Sequence, residues 1–312
     1  MSAPGFGRLL TAMVTPFKDN GDVDYRRARQ LARRLVDNAT ETLVVCGTTG
    51  ESPTLTAEEK LRLFSEIKEE VGNIPVVAGT GSNSTQASIA FSLQAKERGA
   101  DGLLVVAPYY NKPPQSGLLE HFRSIAEAVD LPIIVYNIPG RTGIEIKPET
   151  LAELAKIPNI VAVKEALSLE PICALQVLLH SSGYEYQPLG QYQRWVRPGH
   201  AVELYSGEDN LTLPMMSVGV YGVISVASHV AGPQLAAMMR AYAEGRIAEA
   251  QDWHTKLYPL CIGLFAATNP ILPKAALALQ GFPVGGLRRP LIEATPEQIS
   301  ALRAVMEQAG VL

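Results

Sequence analysis

The chain has 312 residues, of which 47% are hydrophobic and 19% are charged, and its net charge at pH 7 is −4. This composition is that of a globular protein and excludes extended disorder, while the length allows two domains or one large domain with an appendage. Because both charge signs are mixed and no basic block occurs, nucleic acid and anionic membranes are poor partners.

Cysteine usage and the length of the apolar runs indicate a reducing, aqueous compartment. The three cysteines, Cys46, Cys173 and Cys261, are too few and too scattered for a disulfide framework or a structural zinc site. The apolar runs are about five residues long, far below the roughly 20 residues that span a bilayer. The N-terminus also lacks the apolar segment of a signal peptide. We therefore expect a cytoplasmic protein.

Short aliphatic runs alternate with helical patterns over the first 230 residues. The predicted strands occupy residues 9–14, 42–46, 75–78, 103–106, 131–136, 160–164, 202–206 and 220–226. The predicted helices between them occupy residues 25–37, 57–71, 85–98, 117–129, 148–156 and 210–218. Such continuous apolar runs are typical of parallel strands that are buried on both faces. Later on, only helical patterns remain, at 247–258, 259–267, 273–279 and 296–308.

Eight strand–helix units predict an α/β fold: a (β/α)8 TIM barrel of residues 1–230 with a C-terminal helical extension of residues 231–312. An open, doubly wound sheet is the main alternative, but it usually carries a glycine-rich phosphate turn after its first strand. Here Val14-Thr15-Pro16-Phe17 follows that strand instead. The barrel is therefore favoured, and it places the chemistry at the C-terminal ends of the strands.

The residues at the predicted strand ends are rich in hydroxyl groups and include one lysine. Lys164 closes an apolar run, and burial there would lower the pKa of its amine so that it can attack a carbonyl. The turn Gly47-Thr48-Thr49-Gly50 offers N–H groups and hydroxyls to a small anion. Tyr136 can relay a proton, and Arg141 can bind a carboxylate through two hydrogen bonds. The set lacks the His, Asp and Glu cluster that a catalytic metal needs, so we expect no metal.

Each of these features also has a plain structural interpretation. Lys164 would be a surface lysine at a strand end, paired with Glu165. The glycine–threonine turn would be a tight connection between a strand and a helix, and Tyr136 an ordinary aromatic residue at the barrel rim. Taken one at a time, the residues leave both interpretations open.

Five motifs at strand ends together carry a family resemblance. They are Gly47-Thr48-Thr49-Gly50-Glu51, Tyr109-Tyr110-Asn111-Lys112-Pro113, Tyr136-Asn137-Ile138-Pro139-Gly140-Arg141-Thr142-Gly143, Val163-Lys164-Glu165-Ala166 and Gly222-Val223-Ile224-Ser225-Val226. In this order they resemble the dihydrodipicolinate synthase family of Schiff-base-forming, class I aldolase-like lyases, from about Gly7 to the C-terminus.

The resemblance implies an enzyme without a cofactor, usually a homotetramer, that condenses pyruvate with L-aspartate 4-semialdehyde on the diaminopimelate route to lysine. Enzymes similar to N-acetylneuraminate lyase, or other sugar-acid pyruvate aldolases, are the alternative within the superfamily. They accept polyhydroxylated aldehydes, for which Arg141 is not the expected partner. A catalytically silent binding protein is a further alternative, although it would not need Lys164, Tyr136, Tyr110 and Thr48 all intact.

The resemblance also implies a role for each matching residue. Lys164 matches the lysine that forms the Schiff base, and Tyr136 the tyrosine that exchanges protons. Thr48 matches the threonine that links this tyrosine to a second one, Tyr110, which the family inserts from a neighbouring subunit. The substrate-binding positions of the family match Thr49, Arg141, Gly207 and Ile224.

A candidate site for feedback by lysine follows from the same resemblance. Ser52, Asn83 and Tyr109 match positions that line this site in the family. At three other positions, where inhibited bacterial relatives are expected to carry histidines and an acid, the chain has Ala57, Lys60 and Ala87. Because the ammonium group of lysine would meet the like charge of Lys60, we expect weak or absent inhibition.

The segment between Lys164 and Ser206 is about twenty residues longer than expected for the family. If residues 191–197 form the sixth helix, the extra residues lie near the mouth of the site. If residues 172–180 form it, they lie on the opposite face of the barrel. The pattern before Pro198-Gly199 favours 191–197. On this basis, deletion of residues 171–187 is expected to preserve the fold.

Overall fold

Strands and helices alternate along residues 5–187 and 194–312, the part of the chain that the computed structural model describes. The strands there are β1 (Leu9–Ala12), β2 (Thr42–Val45), β3 (Val76–Gly79), β4 (Gly102–Val106), β5 (Ile133–Asn137), β6 (Ile160–Glu165), β7 (Glu185–Gln187), β8 (Arg194–Arg197), β9 (His200–Ser206) and β10 (Gly222–Ser225). The α-helices there are α1 (Tyr25–Asp37), α2 (Ala57–Val71), α3 (Thr85–Glu97), α4 (Gln115–Ala128), α5 (Pro139–Thr142), α6 (Pro148–Leu154), α7 (Leu169–Ser181), α8 (Thr212–Ser217), α9 (Ser228–Ala243), α10 (Ile247–Gly263), α11 (Ile271–Leu279) and α12 (Pro296–Ala309).

Eight of these strands close into a parallel barrel. Each strand from β1 to β5 pairs with the next, β6 pairs with β9, β9 with β10, and β10 returns to β1. Along β1, Leu10 packs in the barrel interior and Leu9 packs against the outer layer, so both faces are buried. This explains the continuous apolar runs, because neither face of these strands meets water. The predicted (β/α)8 barrel and its eight strands are confirmed.

The helices around the barrel begin and pack as their sequences indicate. In α1, Ala28, Leu31, Ala32 and Leu35 are buried at the spacing of one helix face. The predicted capping box at the start of α2 is present, since Thr56 accepts a hydrogen bond from the Glu59 N–H and the Glu59 carboxylate accepts one from the Thr56 N–H.

The prediction of a sixth helix at residues 191–197 is wrong. The sixth helix is α7, which buries Ile172, Leu175 and Leu179 against the barrel. Residues 194–197 form β8, which pairs antiparallel with both β7 and β9, while residues 188–193 lie outside the described part of the chain. The hairpin forms because Tyr186 packs on Trp195 across the strands, with ring centroids 5.4 Å apart.

This arrangement decides where the longer segment lies. The hairpin follows α7 and leads directly into β9, so it belongs to the face where the barrel strands begin, opposite the face that carries the chemistry. The expectation that residues 171–187 can be deleted is also contradicted. Because these residues include most of α7, their loss would expose the apolar surface that Ile172, Leu175 and Leu179 cover.

The chain after β10 is helical, as predicted. Helix α9 packs on β1 and on α10, and α10 packs on α12. The predicted break at Pro259 does not occur, because α10 continues through this residue. Pro259 cannot donate to the carbonyl of Thr255, but Thr255 is exposed and water can replace that bond. No helix among the described residues has the length and apolar character needed to cross a membrane.

Candidate active site

Lys164 lies inside the barrel near the C-terminal end of β6. The strand register places it opposite Tyr136 of β5, and Ala162, two residues earlier, packs in the barrel interior. Lys164 is 5% exposed, and its Nζ lies 4.3 Å from the centroid of the Tyr136 ring. The carboxylate of Glu165 accepts a hydrogen bond from Asn137 at 2.9 Å. The interpretation of Lys164 as a surface lysine is therefore wrong.

Burial controls the charge of the Lys164 amine. Removal from water lowers its pKa to about 8, while Asp209 and Glu208 act in the opposite direction and Arg141 adds to the lowering. A lysine with this pKa is partly neutral near neutral pH, and the neutral amine is the form that attacks a carbonyl.

Tyr136 lies beside this amine and close to Thr48 of the loop after β2. The Tyr136 side chain is 4% exposed, and the side chain of Thr48 lies close enough to influence the pKa of its phenol. Burial raises the pKa of Tyr136, against smaller opposing effects of Arg141 and Thr48. The phenol therefore keeps its proton at neutral pH, so it suits a relay that accepts and donates protons in turn.

The loop after β2 presents two neighbouring hydroxyls to the barrel mouth. Backbone bonds close it, from the Gly50 N–H to the Gly47 carbonyl and from the Glu51 N–H to the Thr48 carbonyl, both 3.1 Å. Thr49 is 3% exposed, and its Oγ1 accepts a hydrogen bond from Asn269 Nδ2 at 2.8 Å. Because Asn269 donates to this oxygen, the hydroxyl proton of Thr49 stays available for an anion.

Gly207 and Ile224 lie at the ends of the strands that flank this site. Ile224 on β10 is fully buried in the barrel interior. The Gly207 N–H donates to the Glu165 carbonyl at 2.7 Å. A Cβ at position 207 would stand 2.8 Å from the Cβ of Ala166, so only glycine lets the chain pass this close behind Lys164.

Arg141 lies in α5, on a loop that Asn137 closes. Asn137 Nδ2 donates to the Ile146 carbonyl at 3.1 Å, and its Oδ1 accepts from the Ile146 N–H at 3.0 Å. The same amide donates to Glu165, whose pKa burial raises to about 8 against the lowering by this bond. Arg141 is exposed to solvent, while Asn137, which closes its loop, is buried. This is expected for a side chain that meets an incoming anion.

Tyr110 stays apart from these residues within a single chain. Its side chain is 89% exposed, and its backbone adopts a left-handed conformation with φ +74°. The neighbouring Tyr109 is 42% exposed. Two adjacent tyrosines presented in this way are typical of a contact surface, because each ring combines a large apolar area with a polar tip.

A cavity of about 720 Å³ is lined by residues of both the predicted catalytic and the predicted effector set, although Lys164 is not among its lining residues. Thr48, Tyr136 and Arg141 of the predicted catalytic and substrate-binding residues line it, and so do Ser52 and Tyr109 of the predicted effector residues. Ala57, Lys60 and Ala87 line the same cavity. Asn83 lies nearby, where its carbonyl accepts a hydrogen bond from Asn111 Nδ2 at 2.8 Å.

Sequence reasoning missed three polar residues close to the site. Glu208 and Asp209 both influence the charge of Lys164, and Asp209 is held by the N–H groups of Val226 and Ala227, each at 2.9 Å. These carboxylates follow Ser206 within three residues, so their position after a strand was a usable signal. Asn269 carried no local signal, because its partner Thr49 is 220 positions away.

Comparison with known proteins places the chain in a family. The profile of the Dihydrodipicolinate synthetase family matches residues 5–309. The chain belongs to this family. It is 52% identical to a 4-hydroxy-tetrahydrodipicolinate synthase of Symbiobacterium thermophilum over 311 residues, which covers 99% of this chain and all of that relative. It is 50% identical to the enzyme of that name from Heliobacterium modesticaldum, over 98% of this chain and 96% of the relative.

Solved structures of family members have the same fold. A dihydrodipicolinate synthase of Cyanidioschyzon merolae with lysine bound superposes with a TM-score of 0.90 at 44% identity, covering 98% of this chain and 99% of that one. The DapA-2 dihydrodipicolinate synthase of Bacillus anthracis superposes with a TM-score of 0.88 at 41% identity, covering 97% and 98%. The family and fold that the five motifs predicted are therefore confirmed.

Proposed function

We propose that this chain is a lyase that condenses pyruvate with L-aspartate 4-semialdehyde, the 4-hydroxy-tetrahydrodipicolinate synthase reaction of lysine biosynthesis through diaminopimelate. The names of its relatives at 46–52% identity support this activity. The observation that carries the chemistry is the buried amine of Lys164 beside the Tyr136 phenol.

Lys164 is the proposed nucleophile. Its neutral amine adds to the 2-oxo carbon of pyruvate, and loss of water leaves a protonated imine. The imine nitrogen withdraws electrons, so the methyl group of pyruvate loses a proton and the resulting enamine attacks the aldehyde carbon of the second substrate. Attack of that substrate's own amine on the imine carbon then closes the ring and frees Lys164.

Tyr136, Thr48 and Tyr110 are the proposed proton relay. Proton transfers are needed when water leaves the first adduct and when the ring closes, and a chain of hydroxyls can carry them in both directions. Tyr136 and Thr48 line the same cavity within one chain. The exposed Tyr110 would complete the relay from a neighbouring subunit, so we also propose a homotetramer, with a location in the cytoplasm.

Separate groups are proposed for the two substrate carboxylates. Thr49 donates its hydroxyl proton to the pyruvate carboxylate, and the main chain at Gly207 and Ile224 lines the same end of the site. Arg141 receives the carboxylate of the semialdehyde at the cavity mouth. A cation at that position favours a charged aldehyde over the neutral hydroxylated chain that a sugar-acid aldolase accepts.

Borohydride trapping and a substrate comparison test this function. Incubation with pyruvate and borohydride should give one covalent adduct on Lys164, and the Lys164→Ala variant should give none and lose turnover. A coupled assay should show turnover of pyruvate with aspartate semialdehyde and none with N-acetylmannosamine. If the wild-type chain forms no adduct, the Schiff-base function fails, and turnover with the sugar alone would assign it to the aldolases instead.

We also propose that lysine inhibits this enzyme weakly or not at all. Ser52, Asn83 and Tyr109 are the candidate effector residues, but Lys60 lines the same cavity as Ser52 and Tyr109 and would repel the ammonium group of lysine. Turnover measured against lysine concentration should stay above half of its initial value at 1 mM lysine. Half-inhibition at micromolar lysine would contradict this prediction.

A further inference from the structure

The C-terminal extension reaches back to the Gly47–Glu51 loop through buried polar side chains. Asn269 Nδ2 donates to Thr49 Oγ1 at 2.8 Å. Lys274 Nζ pairs with Glu51 Oε1 at 2.6 Å, and the two side chains are 4% and 1% exposed. Both contacts join residues more than 200 positions apart, so the extension and the loop hold each other in place.

Glu51 is oriented from two sides by the extension. Its second carboxylate oxygen accepts a hydrogen bond from the Arg288 N–H at 3.0 Å. Lys274 also donates to the Gly286 carbonyl at 2.7 Å, and its Nζ lies 4.2 Å from the centroid of the Phe17 ring. The backbone of Glu51 is left-handed, with φ +56°, a conformation that a residue other than glycine keeps only when its surroundings fix it.

The ion pair makes the position of the loop depend on a charge in the extension. A carboxylate buried without a partner is strongly unfavourable, so Glu51 remains inside the protein because Lys274 neutralises it there. Without Lys274, the Glu51 carboxylate is more stable when it turns toward water, and the backbone of the loop must move with it. Thr48 and Thr49, the proposed relay and pyruvate contacts, are three and two residues away.

We propose that Lys274 and Asn269 are positioning residues of the reaction, which hold the hydroxyls of Thr48 and Thr49 where the carboxylate of a 2-oxo acid binds. This inference rests on the proposed function and adds a role for the extension within it. Arg141 lies on another loop, anchored by Asn137, so the second substrate should be insensitive to the same changes.

The test compares pyruvate binding in variants of the full-length enzyme. The pyruvate concentration that gives half-maximal borohydride trapping is measured together with the KM of each substrate. Lys274→Met should raise the half-saturating pyruvate concentration about tenfold and Asn269→Ala at least threefold, with the KM of the semialdehyde within twofold of wild type. Lys256→Met, which removes an exposed lysine of the same extension, is the matched control and should change neither value.

A double variant separates positioning from loss of stability. Lys274→Met with Glu51→Gln leaves no lone buried charge, so its half-saturating pyruvate concentration should return toward the wild-type value. If the Lys274–Glu51 pair only stabilised the fold, its loss would lower the amount of active enzyme and the melting temperature while leaving pyruvate binding unchanged. Half-saturation within twofold of wild type in both single variants would overturn the proposal, and Asn269→Ala alone decides if Lys274→Met does not fold. Absence of an adduct in the wild-type chain would instead overturn the proposed function.

Discussion

At the scale of single residues, the reactivity of Lys164 depends on where the barrel places it. The amine stands beside an aromatic ring in a closed interior, and this environment favours its neutral form more than Asp209 and Glu208 favour the charged one. A lysine at the same strand end but open to water would stay protonated and could not attack a carbonyl.

The pKa of Lys164 predicts the pH dependence of pyruvate capture. Because the neutral amine is the nucleophile and its pKa is about 8, kcat/KM for pyruvate should rise about tenfold per pH unit below pH 8 and level off above it. Glu208 raises this pKa, so Glu208→Gln should move the midpoint to lower pH. Glu153→Gln, on the protein surface, is the control that should leave it in place. A midpoint near 10.5, the ordinary value for lysine, would contradict the argument.

Arg141 should determine the affinity for the second substrate. Loss of a charge-assisted hydrogen bond costs about 1.5–3 kcal/mol, so Arg141→Ala should raise the KM of the semialdehyde roughly 10- to 100-fold. The KM of pyruvate should change less than twofold. In Arg141→Lys, the KM of the semialdehyde should lie between that of the wild type and that of Arg141→Ala. Kinetics at pH 9, where most of the Lys164 amine is neutral, reduce the effect of Arg141 on its charge. An equal rise in both KM values would show that Arg141 acts on the fold of the site rather than on one carboxylate.

At the scale of secondary-structure elements, sequence patterns predicted the features that depend on interactions between residues close together in the chain. Continuous apolar runs located all eight barrel strands, and since parallel strands end at one rim, the order of motifs predicted that Lys164, Tyr136 and Thr48 come together. The hairpin after α7 could not be predicted in this way, because its pairing depends on Tyr186 packing on Trp195. The contact of Asn269 with the catalytic loop likewise depends on the tertiary fold.

The hairpin contributes a charge to the floor of the barrel. Arg194 on β8 pairs with Glu203 on β9 at 2.9 Å, where the two side chains are 16% and 2% exposed. The hydroxyl of Tyr205 also donates to Glu203, at 2.8 Å. Burial raises the pKa of Glu203, and Arg194 counteracts this. The longer segment therefore compensates a carboxylate that the barrel buries at the face opposite the site.

Removing the charge of Arg194 should destabilise the protein in a pH-dependent manner. Arg194→Met leaves Glu203 buried without this partner and should lower the free energy of unfolding by about 3 kcal/mol. The pKa of Glu203 is higher in the folded protein than in the unfolded chain. The free energy of unfolding therefore falls as pH rises above the ordinary pKa of glutamate. The loss, measured by urea unfolding, should therefore be larger at pH 8 than at pH 5.

Two further variants identify the cause of that loss. Arg194→Met with Glu203→Gln should recover part of the stability and lose the pH dependence, because no buried charge remains. Lys156→Met breaks an exposed ion pair with Glu153 and should cost less than about 1 kcal/mol. Equal losses in Arg194→Met and Lys156→Met would show that the hairpin contributes no buried charge.

At the scale of the whole molecule, the single chain presents an incomplete relay. Tyr136 is buried, and the half-buried Thr48 lies close enough to influence the pKa of its phenol, whereas Tyr110 is 89% exposed on the surface. If Tyr110 completes the relay of a neighbouring subunit, each site takes Lys164 and Tyr136 from one chain and Tyr110 from another. Defects in these residues should then behave differently when two variants assemble together.

Mixed assemblies test this arrangement by complementation. Where a Lys164→Ala chain exchanges Tyr110 with a Tyr110→Phe chain, the site of the Tyr110→Phe chain keeps Lys164 and receives an intact Tyr110, so about half of the wild-type activity should return to each such mixed pair. Hybrids of Lys164→Ala with Tyr136→Phe chains are the matched control, because each site then lacks a residue of its own chain and no activity should return. Two affinity tags allow the hybrids to be purified away from the parent assemblies. If both hybrids are equally inactive while Tyr110→Phe alone is impaired, Tyr110 serves its own chain, and the shared relay is wrong.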